Sequence, residues 1–247
     1  MNQDSWQDLK HAAGTYAADW VADGMVVGLG SGSTARYTTL RIAERLREGS
    51  LAHIVAVPTS NETAALARCH GIPVVTLGTL YERLGELTAN VEPPPDGRVI
   101  DLTIDGADEV DPHLDAIKGL GGFLLREKIV ASATRREVLV VDETKLVSRL
   151  GASSPVPVEV ARFGWQSTRL ALAGTGAEAT LRQRDGRPYV TDEGHYILDC
   201  RYGEIASTQE LAMTLQAIPG VVGHGLFLGM VHSVVVANRD GVYTIER

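Results

Sequence analysis

Several common ingredients are scarce in this chain of 247 residues, and each scarcity closes off a class of function. There are two cysteines, Cys69 and Cys200, far apart and in no metal or redox spacing. That excludes a disulfide framework and predicts two reduced, partly buried thiols. The seven histidines, at 11, 53, 70, 113, 195, 224 and 232, form no H-x-x-x-H or H-x-H pair, so the usual spacing of a histidine metal site is missing. Basic residues are outnumbered, 23 Lys and Arg against 31 Asp and Glu, for a formal net charge of −8. This balance argues against a broad contact with a phosphate backbone, so no nucleic-acid partner is expected and any bound anion needs a local site. No apolar run approaches the roughly 20 residues of a membrane span. The opening "MNQDSWQDLKHAAGTYAADWV" lacks a basic start followed by an apolar core and reads as an amphipathic helix. A cytoplasmic protein with no membrane partner is the expectation.

What remains is ordinary globular composition, 44% apolar and 22% charged, in a length that suits one large or two modest domains. Residues 25–30, "MVVGLG", read as a buried strand closed by glycines. A helical pattern covers 35–48, "HIVAVP" (53–58) is a second strand, and "NETAALARCHG" (61–71) is a helix ending at Gly71. "IPVVTL" (72–77) and "RVIDLTID" (98–105) are predicted as third and fourth strands, followed by a helix near 122–135 and the strand "EVLVVD" (137–142). Strand and helix alternate, which predicts a mostly parallel sheet covered by helices. The Pro-rich stretch 85–98 breaks the rhythm as a surface loop. Beyond about residue 150 the pattern changes. Residues 178–202 read as strand, Asp-Gly turn, strand, and a helix follows at 207–217. This predicts a smaller α+β domain. The tail after 225 carries an apolar run and a hairpin signal at Asp240-Gly241, and pattern alone does not place it.

Three segments follow strand ends, where ligands bind in parallel sheets. The first is "GLGSGSTA" (28–35). It lacks the Lys of a Walker loop. It also lacks the third Gly of a dinucleotide fingerprint, and "HIVAVPTSN" offers no acid for a ribose, so a nicotinamide cofactor is disfavoured. G-x-S-x-G is not spelled in this loop. Two readings survive: a compact phosphate cradle with Ser33 and Thr34 at a helix N-terminus, or a tight turn that caps the helix. The second segment is "DGADEVD" (105–111). It fails the calcium-loop pattern. Asp105 and Asp108 are cleft-facing carboxylates or Asx-turn residues, and Glu109 and Asp111 are expected to face water. The third, "VVDETKLV" (140–147), places Lys145 within reach of an anion or simply on the surface, an ambiguity shared by Lys10.

"KGLGGFLLREKIVASA" (118–133) is the most informative stretch. Its glycines form a permissive turn after Lys118, which suits an anion or oxyanion. Arg126, Glu127 and Lys128 then interrupt a helix. Three consecutive helical residues span about 200° of arc, so they do not share one solvent face. Glu127 has Phe123, Leu124, Val130 and Ala131 at i±3 and i±4. A carboxylate on such a stripe is partly desolvated, which moves it toward a useful general base. The other reading is a charge cluster at a helix edge.

"GLGSGSTA", "TIDGADEVD", "KGLGGFLLREKIVA", "VVDETKLV" and "GVVGHGLFLGM", in this order and spacing, resemble ribose-5-phosphate isomerase of the A type from about Leu9 to Ile245. The resemblance implies a Rossmann-like α/β domain, 1–150 plus 226–247, and a smaller ferredoxin-like α+β domain, 151–225. It implies an aldose–ketose isomerase of the pentose phosphate pathway, without metal or other cofactor, acting on a sugar phosphate as a homodimer or homotetramer. The family's base falls on Glu127. Its substrate-contacting segments fall on Ser31, Gly32, Ser33 and Thr34, on Asp105, Gly106, Ala107 and Asp108, and on Lys118, Gly119, Leu120 and Gly121, with a further lysine at Lys145. Asp105, Asp108 and Lys118 would share the catalytic work. One departure is an insertion at 81–98, expected as a surface elaboration. Two readings of another kind are a non-catalytic sugar-phosphate-binding regulatory protein and a related enzyme such as an amino-sugar phosphate isomerase or an acyl-CoA transferase. The first could dispense with Glu127 and Lys118. An amino-sugar enzyme would want a histidine that these motifs lack.

Overall fold

The computed structural model describes residues 3–88 and 94–247, with side chains from residue 6 onward. The chain divides into two compact units. One holds Met1–Gly106, Arg126–Thr144 and Met230–Arg247, and the other Ala107–Leu125 and Lys145–Gly229.

The first unit is built on a six-stranded sheet. Its order is Val55–Pro58, Val26–Leu29, Ile100–Asp105, Thr134–Asp142, Ser233–Asn238, Gly241–Glu246. Neighbours are parallel except the last two, which form an antiparallel hairpin. The apolar runs follow from burial on both faces. Val27 and Leu29 join one core with Ala13, Ile42, Ile104, Val138 and Val235. Val26 points the other way, into a cluster with Val57, Leu80, Ile100 and Val130. The helix Gln3–Ala18 confirms the N-terminal expectation, and Ala35–Glu48 spans the predicted helix residue for residue. The tail finds its place here: Ser233–Asn238 extends the sheet beside Thr134–Asp142. The Asn238 Oδ1 atom accepts from the amides of Asp240 and Gly241 and closes the hairpin.

Two expectations need correction. Residues 72–77 do not form a full strand. Val74 makes one bridge to Ala56, and the Thr76 hydroxyl then accepts from the Thr79 amide and starts a helix at Leu77. Pro73, with no N–H to give a ladder, fits that edge position. The 81–98 insertion is not wholly superficial either. Leu84, on the short helix Leu84–Leu87, is 3% exposed and belongs to the core cluster of Leu80 and Ile100. Residues 89–93 of that insertion lie outside the described residues.

The second unit contains strand Val156–Val160, helix Trp165–Ala173, strands Glu178–Leu181 and Tyr196–Arg201, helix Thr208–Gln216 and strand Val221–His224. The sheet order is Val221–His224, Val156–Val160, Tyr196–Arg201, Glu178–Leu181, with antiparallel neighbours. This is the ferredoxin-like split β-α-β arrangement. Alternate residues Val156, Val158, Val160, Leu198 and Cys200 pack with Leu172 and Leu215 of the helices. The Asp-Gly turn is present, with φ of 53° at Asp185 and 72° at Gly186, as a type I′ hairpin requires. A small separate sheet pairs Glu109–Val110 with Ala116–Ile117, and the latter with Leu226–Phe227. These three strands lie in segments 107–125 and 145–229 of this unit. Cys200 is buried as expected, but Cys69 is exposed. It is the last residue of its helix, beyond the side that packs.

Candidate active site

In the first unit the strand order reverses between Val26–Leu29 and Ile100–Asp105. Ligands in open parallel sheets bind at such a switch point, beyond the carboxyl ends of the strands. The two loops leaving these strands are the Gly-rich segment and the Asp105 turn. They are tied together: the Ser31 amide donates to Asp105 Oδ1 at 3.0 Å, and the Gly106 amide donates to the same oxygen at 2.7 Å. Gly30 permits this approach, since a Cβ there would lie 2.3 Å from Asp105 Oδ1 and 2.4 Å from its Cα. Gly32 has a φ of 101°. It turns the chain so that Ser33 is exposed and Thr34 half-buried at the start of the helix Ala35–Glu48. Of the leading amides of that helix, those of Arg36 and Tyr37 donate to the carbonyls of Gly32 (3.1 Å) and Thr34 (3.0 Å), and the positive end of the helix dipole still suits an anion. Thr34 makes no side-chain cap of that helix.

Ser31 is different from its neighbours. Its hydroxyl is buried against Thr59 (2.7 Å), Ser60 (2.8 Å) and Thr63 (3.0 Å). Thr59 and Thr63 also donate to the carbonyls of Leu29 and Gly30. Sequence reasoning missed this cluster, although "PTSNET" is a visible run of hydroxyls at a strand end. Ser60 doubles as the N-cap of the helix Asn61–Cys69. Glu127 is also in this unit, on the helix Leu124–Ser132, and is 6% exposed. On the same helix Arg126 donates to Asn61 Oδ1 at 2.9 Å, and burial brings the Lys128 ammonium down to about 7. The REK triplet is therefore not a solvated edge cluster. Lys10 is half-buried on its helix.

The second unit carries the other predicted residues. Lys118 is 2% exposed, one of the largest fully buried side chains. Its amide donates to Gly225 O at 2.9 Å, and its Nζ stands 5.3 Å from the centre of the Phe227 ring. Gly119 and Gly122, with φ of 106° and 97°, turn the chain. Gly121 and Leu120 are exposed between them. Asp108 Oδ2 accepts from the Leu120 amide at 2.9 Å. Burial raises the Asp108 carboxyl above its ordinary range, while that hydrogen bond and the charges of Lys118, Lys145 and Arg182 pull it back. Lys145, at the end of a short 3₁₀ turn, is half-buried.

Glu109 overturns its expected place in solvent. It is 0% exposed, and its carboxylate accepts from the amides of Gly151 (2.6 Å), Ser153 (2.6 Å) and Ser154 and from the Ser153 hydroxyl (2.7 Å). Asp111 is half-buried, and its Oδ1 accepts from the amides of His113 and Asp115. Both acids organise backbone. Among the described residues no group of three His, Cys, Asp or Glu side chains is arranged to hold a metal ion.

Residues 55–241 match the family model of ribose 5-phosphate isomerase A (phosphoriboisomerase A). The ribose-5-phosphate isomerase A of Gloeobacter violaceus is 51% identical across 95% of this chain and 94% of its own. That of Roseiflexus castenholzii is 48% identical across 96% and 94%. The chain belongs to the ribose 5-phosphate isomerase A family. Its fold agrees with solved members. A D-ribose-5-phosphate isomerase in complex with phospho-erythronic acid superposes with a TM-score of 0.88 at 35% identity, covering 100% of both chains. The enzyme from Methanocaldococcus jannaschii gives 0.86 at 36%, over 98% of this chain and 99% of that one. These relatives are isomerases, which favours the enzymatic reading over the regulatory one. Within the family frame, the residues of the motifs sort by unit: Ser31 to Thr34, Asp105, Gly106 and Glu127 in the first, and Ala107, Asp108, Lys118 to Gly121 and Lys145 in the second.

Proposed function

We propose that this chain interconverts D-ribose 5-phosphate and D-ribulose 5-phosphate, with Glu127 as the base. The observation that carries the reading is a carboxylate withdrawn from water, 6% exposed, at the REK position of a chain of this family. In the open-chain aldose the Glu127 carboxylate takes the proton from C2. The electron pair moves into the C1–C2 bond, and the C1 carbonyl oxygen becomes an enediolate oxygen. The protonated Glu127 then returns the proton to C1, while the hydroxyl proton on O2 passes to O1, so that C2 becomes the ketone and C1 carries the hydroxyl. The two carbons are adjacent, so one base on one face serves both.

Lys118 stabilises the developing oxyanion. A buried ammonium is worth more there than one in water, because the surrounding dielectric screens it less. Asp105 and Asp108 hold sugar hydroxyls and assist ring opening. Ser33, Thr34 and the amides of the Gly-rich loop bind the phosphate, with Lys145 and Lys10 as candidate counter-charges. Ser31, Gly32, Gly106, Ala107, Gly119, Leu120 and Gly121 are the further substrate contacts that the family motifs assign. Phosphate binding far from C1 and C2 contributes energy that positions the reacting carbons. Residues 1–150 with 226–247 act as the catalytic domain, and 151–225 as the smaller domain.

The reading also includes a cytoplasmic homodimer or homotetramer that needs no metal or other cofactor. No described helix is long and apolar enough to cross a membrane. The test is conversion of ribose 5-phosphate followed by a coupled assay, with and without chelator. Absence of turnover would remove the reading, and turnover abolished by the chelator would remove its metal-free part.

A further inference from the structure

The Lys118–Gly122 loop is gripped by a residue outside every motif. Arg182 follows the strand Glu178–Leu181. Its Nε donates to Asp199 Oδ2 at 2.9 Å and its Nη2 to Asp199 Oδ1, a two-point pair. The remaining arm, Nη1, donates to the carbonyl oxygens of Gly119 at 2.8 Å and Leu120 at 3.0 Å. On its other side the Leu120 amide donates to Asp108. Leu120 is thus pinned at both its N–H and its C=O. The flanking glycines adopt positive φ values of 106° and 97°. Glycines have little intrinsic preference that would hold such a turn in one shape; the Gly122 amide closes it with a bond to Gly119 O at 3.0 Å, and Arg182 adds a second donor to that carbonyl from outside the loop.

We infer that Arg182, buttressed by Asp199, is a positioning residue of the isomerisation, fixing the peptide planes of the Lys118–Gly122 loop. This rests on the reading of that loop as substrate-contacting. Arg182 itself touches no reacting atom. Its planar fork spends two nitrogens on Asp199 and leaves the third for two carbonyls, a geometry that lysine lacks. It also places a cation in the field of Asp108, whose carboxyl is raised by burial and lowered by the Leu120 amide, Lys118, Lys145 and Arg182.

The experiment compares kcat and kcat/KM across pH for Arg182→Gln, Arg182→Lys and Asp199→Asn, with Lys118→Met as the reference for the loop reading. Misplacing catalytic groups by about 1 Å costs up to about 100-fold. A folded Arg182→Gln enzyme should therefore lose roughly 10- to 100-fold in kcat, and the acid limb of its kcat/KM profile should move to higher pH. Arg182→Lys and Asp199→Asn keep the cation, so both should lose kcat with the acid limb in place. A folded Arg182→Gln enzyme with kcat within about twofold of the parent, or with an unmoved acid limb, overturns the inference. If Arg182→Gln does not fold, Asp199→Asn decides: parental kcat overturns it, and a loss with the acid limb in place supports it. Full turnover in Lys118→Met overturns the loop reading instead, whatever the Arg182 variants do.

Discussion

The Ser31 amide hydrogen-bonds to Asp105 Oδ1 at 3.0 Å, and this bond joins the ends of two strands that flank the reversal of the sheet. It requires Gly30. A Cβ at that position would sit 2.3 Å from the same oxygen, and the obstacle is partly backbone, so neither neighbour can swing aside. Gly30→Ala should destabilise the protein by about 1–3 kcal/mol, the range for overpacking. Its turnover should fall at least about tenfold even where it is folded. Urea unfolding and steady-state kinetics read the two effects separately, and parental kcat would show that the Asp105 turn is not part of the chemistry.

Glu127→Gln keeps the shape of the side chain and removes the proposed base. Positioned general bases contribute about 10²–10⁴ in rate, so kcat should fall by that factor. Substrate affinity, measured by calorimetry, should stay near the parental value, because the proposed phosphate contacts lie on other residues. A variant with near-parental kcat would assign the proton transfer to another residue.

Much of this was legible in the sequence because it is local. The parallel strands announce themselves as apolar runs, and the turn at Asp185-Gly186 needs only its own two residues. The fates of Asp108 and Glu109 were not legible. They are adjacent acids, yet one is half-buried beside Lys118 and the other is fully enclosed by amides of residues 151–154. The partners of Glu109 lie more than forty positions away, where periodicity carries no information. The Ser31 hydroxyl cluster was missed for a related reason. The end of the second strand offers no acid, and its hydroxyls look like an ordinary helix cap until the sheet places them beside Ser31.

Glu109 makes a stability prediction distinct from those on catalysis. Its carboxylate accepts four hydrogen bonds, from the amides of Gly151, Ser153 and Ser154 and from the Ser153 hydroxyl. Charged hydrogen bonds contribute about 1.5–3 kcal/mol each at most, and buried donors left unpaired cost about 1–3 kcal/mol. In Glu109→Gln the amide nitrogen would face N–H groups in place of an acceptor. The variant should lose about 1–3 kcal/mol of unfolding free energy, the cost of leaving a buried donor unpaired. A loss under about 0.5 kcal/mol in urea titration would contradict the enclosed geometry.

Lys128 sets a pH dependence. Burial lowers its ammonium from 10.5 to about 7. The unfolded chain therefore binds one more proton than the folded one between these values. Stability follows the difference in bound protons, so this group makes the protein more stable as pH rises from about 7 to about 10.5. Below about pH 7 both states carry the charge, and the full cost of a buried cation is present. Lys128→Met removes the titration, so its advantage over the parent should be largest at or below pH 7 and shrink as pH rises. The slope of that difference should approach about 1.4 kcal/mol per pH unit at most. Tyr202 and Cys200, both pushed up to about 12, titrate in parent and variant alike and cancel in the comparison. Unfolding free energies of the two proteins from pH 6 to pH 10 measure the difference, and parallel curves would place the Lys128 ammonium in water.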